Sequence, residues 1–246
     1  MDAASARAVL VITPTYDERD NLAAFVSSVF AACPGADVLV VDDASPDGTG
    51  ALADDLAQRD GRVHVLHRPH KAGLGTAYRD GFAWALARRY DVVVEMDADL
   101  SHDARQLDRL LGALADGADL AVGSRAVSGG GVVGWGPLRH ALSRGGSLYS
   151  RLVLGVDVGD LTTGFKAYTR TALLAIDTPT LASNGYSFQI ETTHRALMAG
   201  LRVVEVPITF VDRRAGKSKL SRRVFFEAVA IVWQLRYRAK NRAGGL

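Results

Sequence analysis

The chain has 246 residues, 48% of them hydrophobic and 23% charged. That is the composition of a globular chain long enough for one sizeable core. A single cysteine, Cys33, excludes an internal disulfide framework and fits a reducing compartment. The net charge of +2 conceals an asymmetry: residues 213–246 hold ten Lys or Arg against one acid, Glu227, so this segment either calls for an anionic partner or is a solubilising tail.

The amino end, MDAASARAVLVIT, carries an early Asp2 and only a short apolar run, so it does not read as a secretory signal. AVLVIT (8–13) predicts a strand, followed by the turn PTYDERD and a helix over 21–32. DVLVVDD (37–43) predicts a second strand ending in acids, and 47–60 a second helix with Asp and Thr near its start. RVHVLH (62–67) is a third strand and 75–90 a third helix. DVVVEMD (91–97) is a fourth strand, 104–116 a helix, and DLAVGS (119–124) a fifth strand. Near-continuous Val, Leu and Ile runs alternating with helices predict a mostly parallel central sheet covered by helices on both faces, an α/β fold.

Such sheets bind ligands at the carboxyl ends of their strands. There the sequence places Pro14, Tyr16 and Glu18 after strand one, Asp42 and Asp43 at strand two, Asp97 and Asp99 at strand four, and Ser124 and Arg125 at strand five. Any one is an ordinary loop residue, but the fold gathers all four groups on one edge. Asp97 and Asp99 stand one residue apart, and crowded carboxylates repel unless a cation neutralises them. Mg²⁺ or Mn²⁺ suits oxygen ligands of this kind, and Mg²⁺ usually binds one or two carboxylates together with substrate phosphates.

Other chemistries lack their motifs. No G-x-G-x-x-G follows the first strand, and neither a phosphate-loop G-x-x-x-x-G-K-[ST] nor a G-x-S-x-G elbow is present. The six histidines show no zinc-ligand spacing.

Seven segments in order, PTYDERDNL, VVDDASPDGT, MDADLSHD, VGSR, DLTTGFKAY, GYSFQIE and VPITFVDRRAGKSKL, resemble the dolichol-phosphate or polyprenol-phosphate mannose synthases. These are inverting glycosyltransferases of family 2 with the GT-A fold. The resemblance covers roughly residues 8–235 and implies one glycosyltransferase domain over 1–246. It implies a donor site for GDP-mannose at Pro14, Tyr16, Glu18, Val41 and Asp43, with Asp17 standing where the family usually has Asn. It makes Asp97, Ala98 and Asp99 the metal motif, Asp99 the more direct ligand, and Ser101 a poor substitute for the Gln some relatives place there. It brings Arg213 and Lys219 to the donor pyrophosphate.

The acceptor would be a polyprenyl monophosphate, met in the region 125–155 by Arg125, Arg139, Ser143 and Arg144, since Arg grips phosphate bidentately. Because that phosphate is already ionised, no general base is required, and Glu191 is expected to be structural or to position the sugar. A UDP-glucose donor, or a catalytically silent subunit of a membrane complex, are the alternatives.

No run reaches the roughly 18 apolar residues of a spanning helix. Residues 221–240 instead predict a basic amphipathic helix, with Phe225, Phe226 and Trp233 as interfacial anchors; a helix packed on the core is the plainer alternative. The protein is therefore expected on the cytoplasmic face of a membrane, peripherally or through a membrane partner subunit. No nucleic-acid partner is expected, because aromatic stacking positions are not interleaved with the basic residues.

Overall fold

The computed structural model describes residues 7–212 and 231–237. Its first half follows the predicted alternation: β1 (Val9–Thr15), α1 (Arg19–Ala32), β2 (Ala36–Asp42), α2 (Thr49–Arg59), β3 (Val63–His67), α3 (Leu74–Leu86), β4 (Val92–Glu95), α4 (Leu107–Ala115) and β5 (Leu120–Ser124). Then come β6 (Gly131–Val133), α5 (Pro137–Leu154), β7 (Lys166–Thr169), α6 (Arg170–Ala175), α7 (Tyr186–Met198), β8 (Val203–Pro207) and β9 (Thr209–Val211).

Seven strands form one sheet in the order β3-β2-β1-β4-β7-β5-β8. All neighbours run parallel except β7, which lies antiparallel between β4 and β5. The order reverses between β1 and β4. The chain segments leaving those strands therefore diverge to opposite sides and open a crevice at their carboxyl ends.

Period-two alternation divides the strands between two cores. Val9 and Val11 of β1, Val38 and Val40 of β2, and Val92 and Val94 of β4 face α1, α2 and α4. Leu10, Ile12, Leu39, Val41 and Val93 face α3, α6 and α7. On α1 the inward stripe is Leu22, Phe25, Val26 and Val29, all 4% exposed or less. Each contributes about 1.5–3 kcal/mol by leaving water.

A second, two-stranded sheet pairs β6 with β9 and ties the 126–136 loop to the chain just before residue 213. Residues 231–237 are helical. Val232 and Leu235 are buried with Leu154, Val158, Leu161 and Ile190, while Trp233 and Tyr237 are 57% and 72% exposed. The described part of the carboxyl-terminal helix thus packs one face on the core and turns aromatic rings outward; Phe225, Phe226 and the rest of 221–240 lie outside the described residues.

Candidate active site

Three of the four strand ends carry a non-glycine residue with left-handed backbone: Asp17 after β1 (φ 60°), Ala44 after β2 (φ 57°) and Leu100 after β4 (φ 61°). Outside Gly, Asn and Asp this conformation costs roughly 1–2 kcal/mol per residue. Strain of this sort collects at functional sites, and here it lines the crevice edge.

On the β1 and β2 side, Pro14, Tyr16 and Glu18 are half-buried. The Lys71 ammonium sits 3.3 Å from the centre of the Tyr16 ring. Glu18 accepts a hydrogen bond from Asn21 Nδ2 at 2.8 Å, and its backbone N–H donates to Thr49 Oγ1. Asp43 is nearly sealed. Its carboxylate accepts from Arg68 Nη1 at 2.7 Å and from the backbone N–H groups of Ala72 and Gly73. Asp43 therefore holds the 68–73 loop, which leads into α3, at the carboxyl end of β2. The Val41 side chain is fully buried in the α3 core, so its expected place against the donor nucleoside is open only to its backbone.

Beyond β4, the alternation of the strand sends Met96 and Ala98 into the α1 core and Asp97 toward α3, where Tyr78 Oη donates to Asp97 Oδ1 at 3.3 Å. A Cβ at Gly164 would stand 3.3 Å from Asp97 Oδ2, so only glycine leaves this carboxylate comfortable room. Asp99 is 7% exposed, and its Oδ1 accepts from the Ser101 backbone N–H at 3.0 Å and from Ser101 Oγ at 2.5 Å. Ser101 thus fixes the Asp99 carboxylate, a role its reading as a missing metal ligand does not contain. Among the described residues no group of three His, Cys, Asp or Glu could hold a metal. A cation here would take Asp97 and Asp99 and complete its shell from substrate, which is the Mg²⁺ habit.

On the β5 side a cleft of about 360 Å³ is lined by Arg125, Trp135, His140, Ser143, Arg144 and Asp160, among others. Three of the four expected phosphate ligands meet there. Arg125, however, is already engaged. Its Nε and Nη2 donate to Asp160 Oδ2 and Oδ1 at 2.7 and 2.8 Å, its backbone N–H donates to Oδ2, and Nη2 also reaches Thr162 Oγ1. Burial alone would raise the Asp160 carboxyl, but Arg125 outweighs it and holds the group below the usual carboxylate range. Arg139 is not among the residues lining the cleft: it stacks on Trp135, Cζ 4.3 Å from the ring centre, and its Nη1 donates to Asp212 at 2.7 Å. Arg213 and Lys219, expected at the donor pyrophosphate, lie outside the described residues.

Residues 10–176 match the model of the family described as glycosyl transferase family 2. The chain belongs to glycosyl transferase family 2. It is 53% identical over 96% of its length, and 90% of the relative's, to a polyprenol monophosphomannose synthase of Mycolicibacterium smegmatis. It is 52% identical over 91% of its length, and 92% of the relative's, to an undecaprenyl-phosphate mannosyltransferase of Micrococcus luteus. In fold it is similar to a glucosyl-3-phosphoglycerate synthase of Mycobacterium tuberculosis solved with Mn²⁺, uridine diphosphate and phosphoglyceric acid. The TM-score is 0.67 at 20% identity, covering 98% of this chain and 80% of that one.

In this family 2 glycosyl transferase, Glu191 is sequestered. Its carboxylate accepts from the backbone N–H groups of Ala182 and Ser183 and from Arg195 Nη2 at 2.6 Å. Burial would raise its pKa, but Ser183 and Arg195 bring it below the ordinary glutamate value. The loop it folds carries Asn184, whose Oδ1 accepts from Gly75 N–H at 2.7 Å and whose Nδ2 donates to the Ala72 carbonyl. The 180–185 loop is thereby joined to the loop that Asp43 holds.

Sequence reasoning missed Arg68, Asn184, Asp160 and a fully buried pair, Glu95 and Lys166, which face each other across β4 and β7. Burial pushes the Glu95 carboxyl up and the Lys166 ammonium down to about 8, each partly offset by the other. The available signal was a glutamate inside the apolar run VVVEMD.

Proposed function

We propose that this glycosyl transferase moves mannose from GDP-mannose to a polyprenyl monophosphate, with inversion at the sugar carbon. The observation that carries the reading is the pair of curated relatives, each above half identical over nine-tenths of either chain, whose names specify a mannosylated polyprenyl phosphate product or that transfer. The crevice chemistry is in keeping. Tyr16 and Glu18 offer a ring face and a carboxylate to a nucleoside, and the cleft beyond β5 is rich in cations that suit a phosphate.

The acceptor phosphate monoester is largely ionised at neutral pH, so its oxygen attacks without a base. Glu191, folded into its own loop and paired with Arg195, is suited to that scheme as a structural group. The chain's task is then to hold two anionic substrates against each other.

Asp97 and Asp99 would hold Mg²⁺ or Mn²⁺, and their fixing by Tyr78 and Ser101 suits that role. A bound cation would neutralise the departing nucleoside diphosphate. The similar fold solved with Mn²⁺ supports a divalent ion without choosing between the two.

Among the described residues no helix is long and apolar enough to cross a membrane. A lipid acceptor would then be met at the cytoplasmic membrane surface, through the outward Trp233 and Tyr237 and the basic tail, or through a membrane partner subunit.

The test is to incubate the protein with Mg²⁺ or Mn²⁺, a polyprenyl phosphate and labelled GDP-mannose or UDP-glucose, and to count label entering the organic phase. Label from GDP-mannose supports the reading. Label from UDP-glucose alone reassigns the donor, and no label from either overturns it.

A further inference from the structure

Two N–H groups beside the β5 cleft are buried and make no hydrogen bond among the described residues: Nε1 of Trp135 and Nε of Arg139. They belong to side chains stacked on each other. Buried donors almost always have acceptors, so such a pair calls for an explanation. Both missing partners are acceptors, not donors. The surroundings are cationic and aromatic: Arg125 lies 5.4 Å from the Trp135 ring centre, His140 packs edge-on at 5.6 Å, and Arg144 lines the same cleft. An oxygen entering here meets the Arg125 and Arg139 guanidiniums, each already paired with an aspartate, together with Arg144, a net positive surrounding that suits an anion.

Gly129 and Gly134, with positive φ (83° and 93°), bracket the three-residue strand β6, whose pairing with β9 holds the loop that carries Trp135. Trp135 also packs edge-on against Phe210 of β9 at 5.4 Å, which holds the indole against that strand. The Arg139 guanidinium has one nitrogen committed to Asp212, while Nε meets no acceptor among the described residues.

We infer that the Trp135 indole N–H, together with Arg139 Nε–H, donates to the phosphate of the acceptor. Trp135 is then an acceptor-binding residue as well as the platform for the arginines. The inference rests on the polyprenyl-phosphate reading and adds one residue to it.

The decisive variant is Trp135→Phe, which keeps an aromatic stack and removes the N–H; Trp135→Ala removes both. The inference expects Trp135→Phe to raise KM for a short-chain prenyl phosphate about tenfold with KM for the sugar nucleotide unchanged. An acceptor KM within about twofold of the parent protein would overturn it, since a merely stacking role survives in Phe.

A second measurement needs no turnover. With Trp84→Phe and Trp233→Phe, Trp135 becomes the sole tryptophan, and its emission is followed while inorganic phosphate, or prenyl phosphate, is added. A saturable shift with either upholds an anion at the indole. A shift with prenyl phosphate alone means that the lipid is needed to deliver it. A flat titration with both overturns the inference. Failure of the polyprenyl reading would appear separately, as absent transfer by the parent protein alongside an intact response to inorganic phosphate.

Discussion

Asp160→Asn isolates what the buried ion pair at the end of β5 is worth. The carboxylate is 3% exposed and the Arg125 side chain 12%. Five hydrogen bonds converge on it from Arg125 and Thr162: Arg125 N, Nε and Nη2, and Thr162 N and Oγ1. An amide keeps the shape but turns one oxygen into a donor facing donors, leaving the guanidinium without a counter-charge. Breaking a buried pair by removing one partner costs about 3–5 kcal/mol, and the open cleft beside Arg125 lets water moderate this toward about 3. For a chain of this length that is a fall in Tm of roughly 6–12 °C.

The pH dependence follows from the same pair. The folded pKa of Asp160 lies below its unfolded value, so its stabilisation is present above about pH 3.9 and is lost as pH falls through the folded value. Urea unfolding of parent and variant between neutral and acid pH should therefore converge at the acid end. A loss below about 1 kcal/mol at neutral pH, or a gap that does not narrow in acid, would refute the claim that Arg125 is held chiefly by Asp160.

Three further outcomes are expected. Leu100→Gly relieves left-handed strain at a residue 38% exposed, so stability should rise by about 1 kcal/mol in thermal melts; a fall would mean that Leu100 packing outweighs the strain. Ser101→Ala removes the hydroxyl's bond to the Asp99 carboxylate and leaves only the backbone one, and losing about 1.5 kcal/mol of charged hydrogen bond should raise the Mn²⁺ concentration for half-maximal transfer about tenfold. An unchanged metal requirement would remove Ser101 from the site. Glu191→Gln should lower stability by about 1–2 kcal/mol yet keep transfer within about tenfold of the parent, and near-total loss of transfer with donor binding intact would make Glu191 chemical instead of structural.

Strands β1 to β5 and their helices were legible because each carries its own period, and the acids at their ends stood out against apolar runs. The antiparallel β7 was not, because KAYT is short and its place between β4 and β5 depends on long-range pairing. β8 and β9 follow the same rule. Within the site, sequence pattern located Asp43, Asp99 and Arg125 but not their partners. Arg68 lies 25 residues from Asp43 and Asp160 lies 35 from Arg125, and nothing local marks either pairing. Val41 shows the converse: the family resemblance pointed it to the donor nucleoside, while the parity of β2 turns its side chain into the core.

We propose that transfer is catalysed at the end of β4. The most direct measurement is the rate of mannose transfer to polyprenyl phosphate by Asp99→Asn at saturating Mn²⁺, beside the parent protein and with folding verified by thermal melt. A folded variant slower by at least about a hundredfold is expected. A folded variant that transfers mannose at the parental rate would contradict it.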